Sequence, residues 1–180
     1  MGSASTLMEA GFDFASLGDE DKDGVEFSTY NGPHIGVYRE MAMGSHSALR
    51  PGLVFEDRGE KGEKGSRTEY ARLTYLQVPL LARFHFTAAN GHVWGATFGP
   101  EAGYLVRAKI HSTFTTHDFK ESLEPFDFGL SAGADWEATG KEMSLVYGVA
   151  YYRGLYDIAR APQKIHNRGL RITLGVKWGR

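Results

Sequence analysis

The chain has 180 residues, with Lys+Arg 20 against Asp+Glu 22, a formal net charge of −2 and no cysteine. That length points to one domain, the charge balance excludes the basic excess of a nucleic-acid binder, and the missing cysteine removes disulfides, thiolate metal sites and a cysteine nucleophile. A mean hydropathy of −0.34 and the lack of a long apolar run exclude a transmembrane helix, but not a transmembrane barrel, whose strands barely raise the average.

Residues 1–5 show no basic segment leading into an apolar one, and are expected to be an extension ahead of a single domain over residues 6–178. From there the ruling pattern is alternation with a period of two, the signature of a strand with two unlike faces. Eight strands are expected. In the first, Met8, Ala10, Phe12 and Phe14 oppose Glu9, Gly11 and Asp13. A long connection over 18–32 follows and carries Asp19-Glu20-Asp21-Lys22-Asp23-Gly24. This order places oxygen ligands from Asp19, Asp21 and Asp23 where a calcium loop has them. The twelfth position is Tyr30 instead of a bidentate Glu, so a solvated acidic loop is the competing reading.

In the second strand Ile35, Val37, Met41 and Met43 oppose His34, Gly36, Tyr38 and Glu40, with Arg39 as the exception. A short turn over 44–47 leads to the third, where Leu49, Pro51, Leu53 and Phe55 oppose Arg50, Gly52 and Glu56. The mixed-charge, glycine-spaced segment 57–69 is expected to be a long solvated loop. The fourth strand alternates Leu76, Val78, Leu80, Ala82, Phe84 and Phe86 with residues including Gln77, Arg83 and His85, then turns at Asn90-Gly91. The fifth is the longest, from Trp94 to Ile110, with Glu101, Leu105, Arg107, Lys109 and three glycines opposite the apolar row. After a long connection over 111–125, Phe126 to Ala138 alternates without a break, placing Asp127, Asp135 and Glu137 on the polar face. A short turn leads to the seventh strand, Met143 to Leu155, where only Arg153 interrupts the apolar face. A last long connection over 157–168 precedes Leu170, Ile172, Leu174, Val176 and Trp178, which alternate with Gly169, Arg171, Thr173, Gly175 and Lys177.

Short and long connections thus alternate, which fits an antiparallel meander. Which face turns inward is decided by size. Most of the 23 glycines lie on the polar face. Glycine weakens a solvent-facing strand but fits the crowded inner wall of a narrow barrel. The polar face also carries acids and bases in near balance: Glu9, Asp13, Glu40, Glu56, Glu101, Asp127, Asp135 and Glu137 against Arg50, Arg83, Arg107, Lys109, Arg171 and Lys177. Paired charges of that kind can fill a small interior, and their expected role is structural ion pairing, not acid–base catalysis. The expected fold is therefore all-β: a closed, eight-stranded, antiparallel up-and-down transmembrane β-barrel, with aromatic residues such as Trp94, Trp136 and Trp178 near the strand ends. The alternative is a soluble lipocalin-like barrel that binds a ligand, with the apolar face inward; folding without detergent would indicate it.

Four strings carry a resemblance: Tyr75-Leu76-Gln77-Val78-Pro79-Leu80-Leu81-Ala82-Arg83-Phe84, Gly99-Pro100-Glu101-Ala102-Gly103-Tyr104-Leu105, Phe126-Asp127-Phe128-Gly129-Leu130, and Gly154-Leu155-Tyr156-Asp157-Ile158. In order and spacing they resemble the PorT-type outer-membrane β-barrel domain, found mainly in Bacteroidetes and relatives. The resemblance implies a bacterial outer-membrane location and a small barrel like those of OmpA and OmpX, and it implies no activity. Asn167-Arg168-Gly169-Leu170-Arg171-Ile172-Thr173-Leu174 also resembles the β-signal read by the barrel-assembly machinery.

The expected protein is a monomeric structural, adhesion or partner-binding barrel with a plugged polar lumen, periplasmic termini and four long external loops. Its expected surroundings are outer-membrane lipid and lipopolysaccharide, the assembly machinery during biogenesis, and an unnamed protein partner at the loops. No nucleic acid is expected, and calcium is the only cofactor raised. No enzyme activity is expected. The competing enzyme reading would rest on rim residues Ser112, His117 and Asp118, which share one connection. The histidines show no H-x-x-x-H helical spacing; His111 and His117 share one connection, where a metal site is the weaker reading against ordinary loop histidines, and no G-x-S-x-G elbow is present.

Overall fold

A computed structural model describes residues 4–17, 26–64, 67–112, 115–160 and 165–179. Nine strands run in chain order: β1 (Ala4–Leu17), β2 (Glu26–Ala42), β3 (Ser47–Lys64), β4 (Arg67–Thr87), β5 (Val93–Ser112), β6 (Thr116–Asp118), β7 (Phe126–Ala138), β8 (Met143–Gly154) and β9 (Asn167–Trp178). Eight of them close an antiparallel barrel, since each pairs with the next and β9 pairs back onto β1. The ninth, β6, is three residues long and adds to β5 above the start of β7. The one described helix is a 3₁₀ turn, Lys120–Ser122, so no described helix is long and apolar enough to cross a membrane; strands do the crossing.

The apolar rows face outward. Phe12 is 59% exposed, Ile35 61% and Phe84 62%, whereas the charged row opposite is buried. A surface of that kind marks contact with a membrane or another protein, and its presence on every barrel strand fits lipid. The inward glycines make room for long side chains reaching across. A Cβ on Gly95 would sit 2.6 Å from Arg83 Nε and 2.7 Å from Asp135 Oδ1. Gly91, at φ 82, takes the left-handed position of the turn between β4 and β5.

The strands outrun the alternation that located them. Segment 57–69, expected as a loop, is mainly β-ladder: Asp57 pairs with Thr74, and the register holds as far as Lys64 and Arg67. The strand before it starts at Glu26, inside the stretch expected as loop. At the other end β1 begins at Ala4, two residues ahead of the expected domain start. A transmembrane strand needs about 9–11 residues, while β4 has 21 and β5 has 20. β2 to β5 therefore rise beyond the barrel wall at the end of the long connections, where the outward row is no longer apolar and the alternation that marks a lipid-facing strand fades.

Two ladder irregularities matter. Between β2 and β3 the register shifts between Thr29 and His34. Between β4 and β5, Thr74 faces Arg107 but Tyr75 faces Leu105, so Val106 is an extra, bulged residue. A bulge reverses which face the following residues occupy. Leu105 and Ala108 are buried inside, and Arg107 is exposed on the outer surface with Lys109 half-buried two residues on. Arg107 and Lys109, placed inside by strict alternation, are outside.

Candidate functional site

The barrel interior holds two ion-pair clusters separated by an apolar layer. Nearest the short turns, Glu40 of β2 meets Arg50 of β3 at 2.5 Å, Arg83 of β4 at 3.4 Å and Lys177 of β9 at 3.4 Å. Asp135 of β7 accepts from Arg83 Nε at 3.0 Å and pairs with Arg50 at 3.3 Å. Glu137 pairs with Lys177 and lies 3.5 Å from Arg83. Three acids thus face three bases, and strands from both sides of the barrel are tied through its axis.

Above this cluster lie Leu7, Tyr38, Val54, Leu81 and Val146, all buried. A cavity of about 40 Å³ beside them is bordered by Arg50, Asp135, Glu9 and Arg171. It has room for a few water molecules and no larger solute.

The second cluster centres on Arg58 and Arg171. Arg171 of β9 donates to Glu101 from both terminal nitrogens, at 2.8 and 2.7 Å, and its Nε lies 3.0 Å from Glu56. Such two-point guanidinium–carboxylate contacts are the strong kind. Arg58 of β3 reaches Glu56 at 2.5 Å, Asp127 at 3.1 Å and Asp13 at 3.5 Å, and stacks 3.7 Å from the centroid of the Tyr152 ring. His34 places Nδ1 3.0 Å from Glu56 and Nε2 3.1 Å from Glu9, so a ring donating from both nitrogens satisfies both carboxylates. Asn167 donates to Asp127 at 2.7 Å and to the Tyr75 hydroxyl at 3.1 Å.

The mouth at the long-connection end is apolar. Leu17, Leu73, Tyr75, Leu105 and Ala108 from the wall pack with Leu123 and Ile158 from two connections, and Phe119 and Ile165 join them. These connections are stitched together by a bridge between Leu123 and Ala159, by Glu124 N donating to Ile158 O at 2.8 Å, and by Arg160 N donating to Ser122 O at 3.2 Å.

Of the interior residues expected from sequence, twelve meet in these clusters: Glu9, Asp13, Glu40, Arg50, Glu56, Arg83, Glu101, Asp127, Asp135, Glu137, Arg171 and Lys177. Arg107 and Lys109 do not join them, for the bulge turns them out. Sequence reasoning missed Arg58, which is fully buried, because it lay in the segment assigned to a loop. The Glu56–Arg58–Glu60 alternation was the signal that could have placed it. Asp19, Asp21 and Asp23 lie outside the described residues. Among the described residues no group of three or more His, Cys, Asp or Glu is placed to hold a metal ion. Ser112, His117 and Asp118 do not converge: Ser112 Oγ contacts Thr115 Oγ1 at 3.1 Å, and His117 and Asp118, adjacent on β6, point to opposite faces.

A family model described as "Outer membrane protein beta-barrel domain" matches residues 6–160. The chain belongs to this outer-membrane barrel family. Solved structures agree on the fold. Neisserial surface protein A is 12% identical with a TM-score of 0.57, covering 97% of this chain and 96% of its own. OprG from Pseudomonas aeruginosa is 10% identical with a TM-score of 0.55, covering 98% and 97%. Ail, the attachment invasion locus protein of Yersinia pestis, solved in complex with the heparin analogue sucrose octasulfate, is 13% identical with a TM-score of 0.52, covering 98% and 99%. Among curated protein sequences, none matches. The chain is thus a bacterial outer-membrane β-barrel protein, and its outward apolar rows are the lipid-facing surface.

Proposed function

We propose that this outer-membrane barrel is a non-conducting, non-enzymatic anchor, which presents its long-connection end outside the cell to a protein partner and keeps both termini in the periplasm. The filling of the interior carries this reading. Two ion-pair clusters, the apolar layer around Tyr38 and the cap around Ile158 leave a cavity of about 40 Å³ between the clusters. A barrel of eight strands has room for side chains rather than for a channel. An even strand number puts both termini at the short-turn end, the periplasmic side in bacterial barrels. The tall β2–β5 wall supplies the surface a partner would meet. The separation of Ser112, His117 and Asp118 supports a role without catalysis. The four strings around Gln77, Glu101, Asp127 and Asp157 support a PorT-type kinship within the family, and Asn167 to Leu174 supports recognition by the assembly machinery.

The test is conductance in a planar lipid bilayer. A barrel shown to be folded by its heat-modifiable gel shift is expected to give no steady current steps. Large, stable conductance would overturn the reading.

A further inference from the structure

The outer surface changes chemistry at one level of the wall. Phe55, Leu76, Tyr104 and Val106 end the unbroken outward apolar rows of β3, β4 and β5 toward the long connections, with the exposed Tyr70 standing apart beyond them. Immediately beyond them the outward residues are polar, with a cluster of cations among them. Thr74 faces Arg107 across the β4–β5 ladder, Arg72 faces Lys109, and Tyr70 faces His111 with rings stacked at 4.8 Å. Lys120, from the 3₁₀ turn, joins from the side: its Nζ donates to Val106 O at 3.0 Å and sits 5.5 Å from the Tyr104 ring centroid.

Two cations directly opposite each other weaken a sheet unless an anion lies between them. Protein groups supply only part of that anion. Buried Asp57 accepts from Arg72 Nε at 2.8 Å and from the Thr74 hydroxyl at 2.6 Å. Asp118 lies in register with Lys109, and its Oδ1 accepts from Lys120 N at 3.0 Å. Among the described residues, four cations (Arg72, Arg107, Lys109 and Lys120) therefore meet two carboxylates, Asp57 and Asp118. The bulge at Val106 is what turns Arg107 and Lys109 to this face, and bulges re-aim side chains in this way at functional positions. The arrangement recurs across the barrel, where exposed Arg153 and Arg168 face each other at the same end. At the short-turn end Arg39 is the corresponding outward strand cation among the described residues, and it donates to Thr6 Oγ1 at 3.0 Å.

We propose that Arg72, Arg107, Lys109 and Lys120 form a binding site for the phosphate of an anionic glycolipid of the outer leaflet. The lipid's acyl chains would lie along Leu76, Tyr104 and Val106 below. The apolar row continuous with the cations is what selects a lipid over a free anion. The proposal rests on the outward placement of the long-connection end, and conductance does not report on this patch, so the two readings fail separately.

The test uses the full chain folded in a phosphate-free maltoside detergent, with native mass spectrometry as the readout. The probes are diphosphorylated lipid A and the same lipid stripped of its phosphates. The variant is R107Q/K109Q/K120Q, which leaves the buried Asp57–Arg72 pair intact, and R39Q is the control; gel shift shows that each is folded. Near a membrane surface each cation contributes roughly a severalfold gain, so the triple variant is expected to bind lipid A about tenfold to a hundredfold more weakly. R39Q and native protein are expected to bind alike, and both to prefer the phosphorylated lipid. Equal affinity of native and triple variant, or equal affinity for the two lipids, would overturn the proposal. Displacement of lipid A by millimolar inorganic phosphate would overturn the lipid assignment, because a lipid held also by its chains resists that competitor.

Discussion

Arg171→Met tests whether the barrel interior is dry. Arg171 supplies Glu101 with hydrogen bonds at 2.8 and 2.7 Å, and the next cation, Arg58, is 4.0 Å away. Both side chains are nearly inaccessible. Removing the guanidinium leaves Glu101 as a buried charge without a close partner, which costs about 3–5 kcal/mol. At about 1.36 kcal/mol per factor of ten, the unfolding constant rises roughly 10²- to 10⁴-fold. The double variant Arg171→Met/Glu101→Met behaves differently. It removes both charges, while Glu56 keeps Arg58 at 2.5 Å and His34 at 3.0 Å. Replacing a buried pair by apolar residues of similar volume is often neutral or stabilising, so the double variant is expected to recover to within about 1 kcal/mol of native. Urea unfolding in phospholipid vesicles, followed by tryptophan fluorescence, measures both. A single variant that loses less than about 1 kcal/mol would show that Glu101 is hydrated, and the filled-interior reasoning would fail. A double variant as weak as the single would assign the loss to packing instead of charge.

Other outcomes follow from the same geometry. Gly95→Ala forces a Cβ to 2.6 Å from Arg83 Nε, which ion pairs hold in place, and is expected to lose about 1–3 kcal/mol in the same unfolding assay. Ile172→Arg puts a charge in the lipid-facing row between Val149 and Phe12 and is expected to destabilise by about 2–4 kcal/mol. Ile158→Ala empties the centre of the mouth cap at an expected loss of about 2–5 kcal/mol, with faster protease cleavage at the long connections as a second readout. Raising salt to about 1 M shortens the screening length to about 3 Å, yet the buried pairs are out of its reach, so the urea midpoint is expected to hold while lipid binding at Arg107 and Lys109 weakens.

The sequence carried the barrel because lipid makes a stricter demand than water. Every outward residue in the membrane must be apolar, so Phe126 to Ala138 alternates without a fault, and its Asp127, Asp135 and Glu137 are indeed buried inside. The same logic explains what was illegible. Beyond the membrane the outward face of β3 is no longer apolar and its inward face carries charged residues such as Arg58, so Asp57 to Lys64 reads like a loop although its ladder with β4 is continuous. Arg58, the most enclosed cation of the interior, was lost with it. Arg107 and Lys109 failed for another reason. Alternation assumes an unbroken ladder, and one extra residue at Val106 exchanges the faces downstream of it. The composition around the bulge gives no sign of this, since Val106 is an ordinary strand residue. The consequence is chemical as well as topological: two bases removed from the interior leave the second cluster richer in acids than in bases, with Glu9, Asp13, Glu56, Glu101 and Asp127 around Arg58, Arg171 and His34. The same two bases, moved to the outer wall, stand where the apolar band ends. One bulge thus sets the charge of both the inside of the barrel and its lipid boundary.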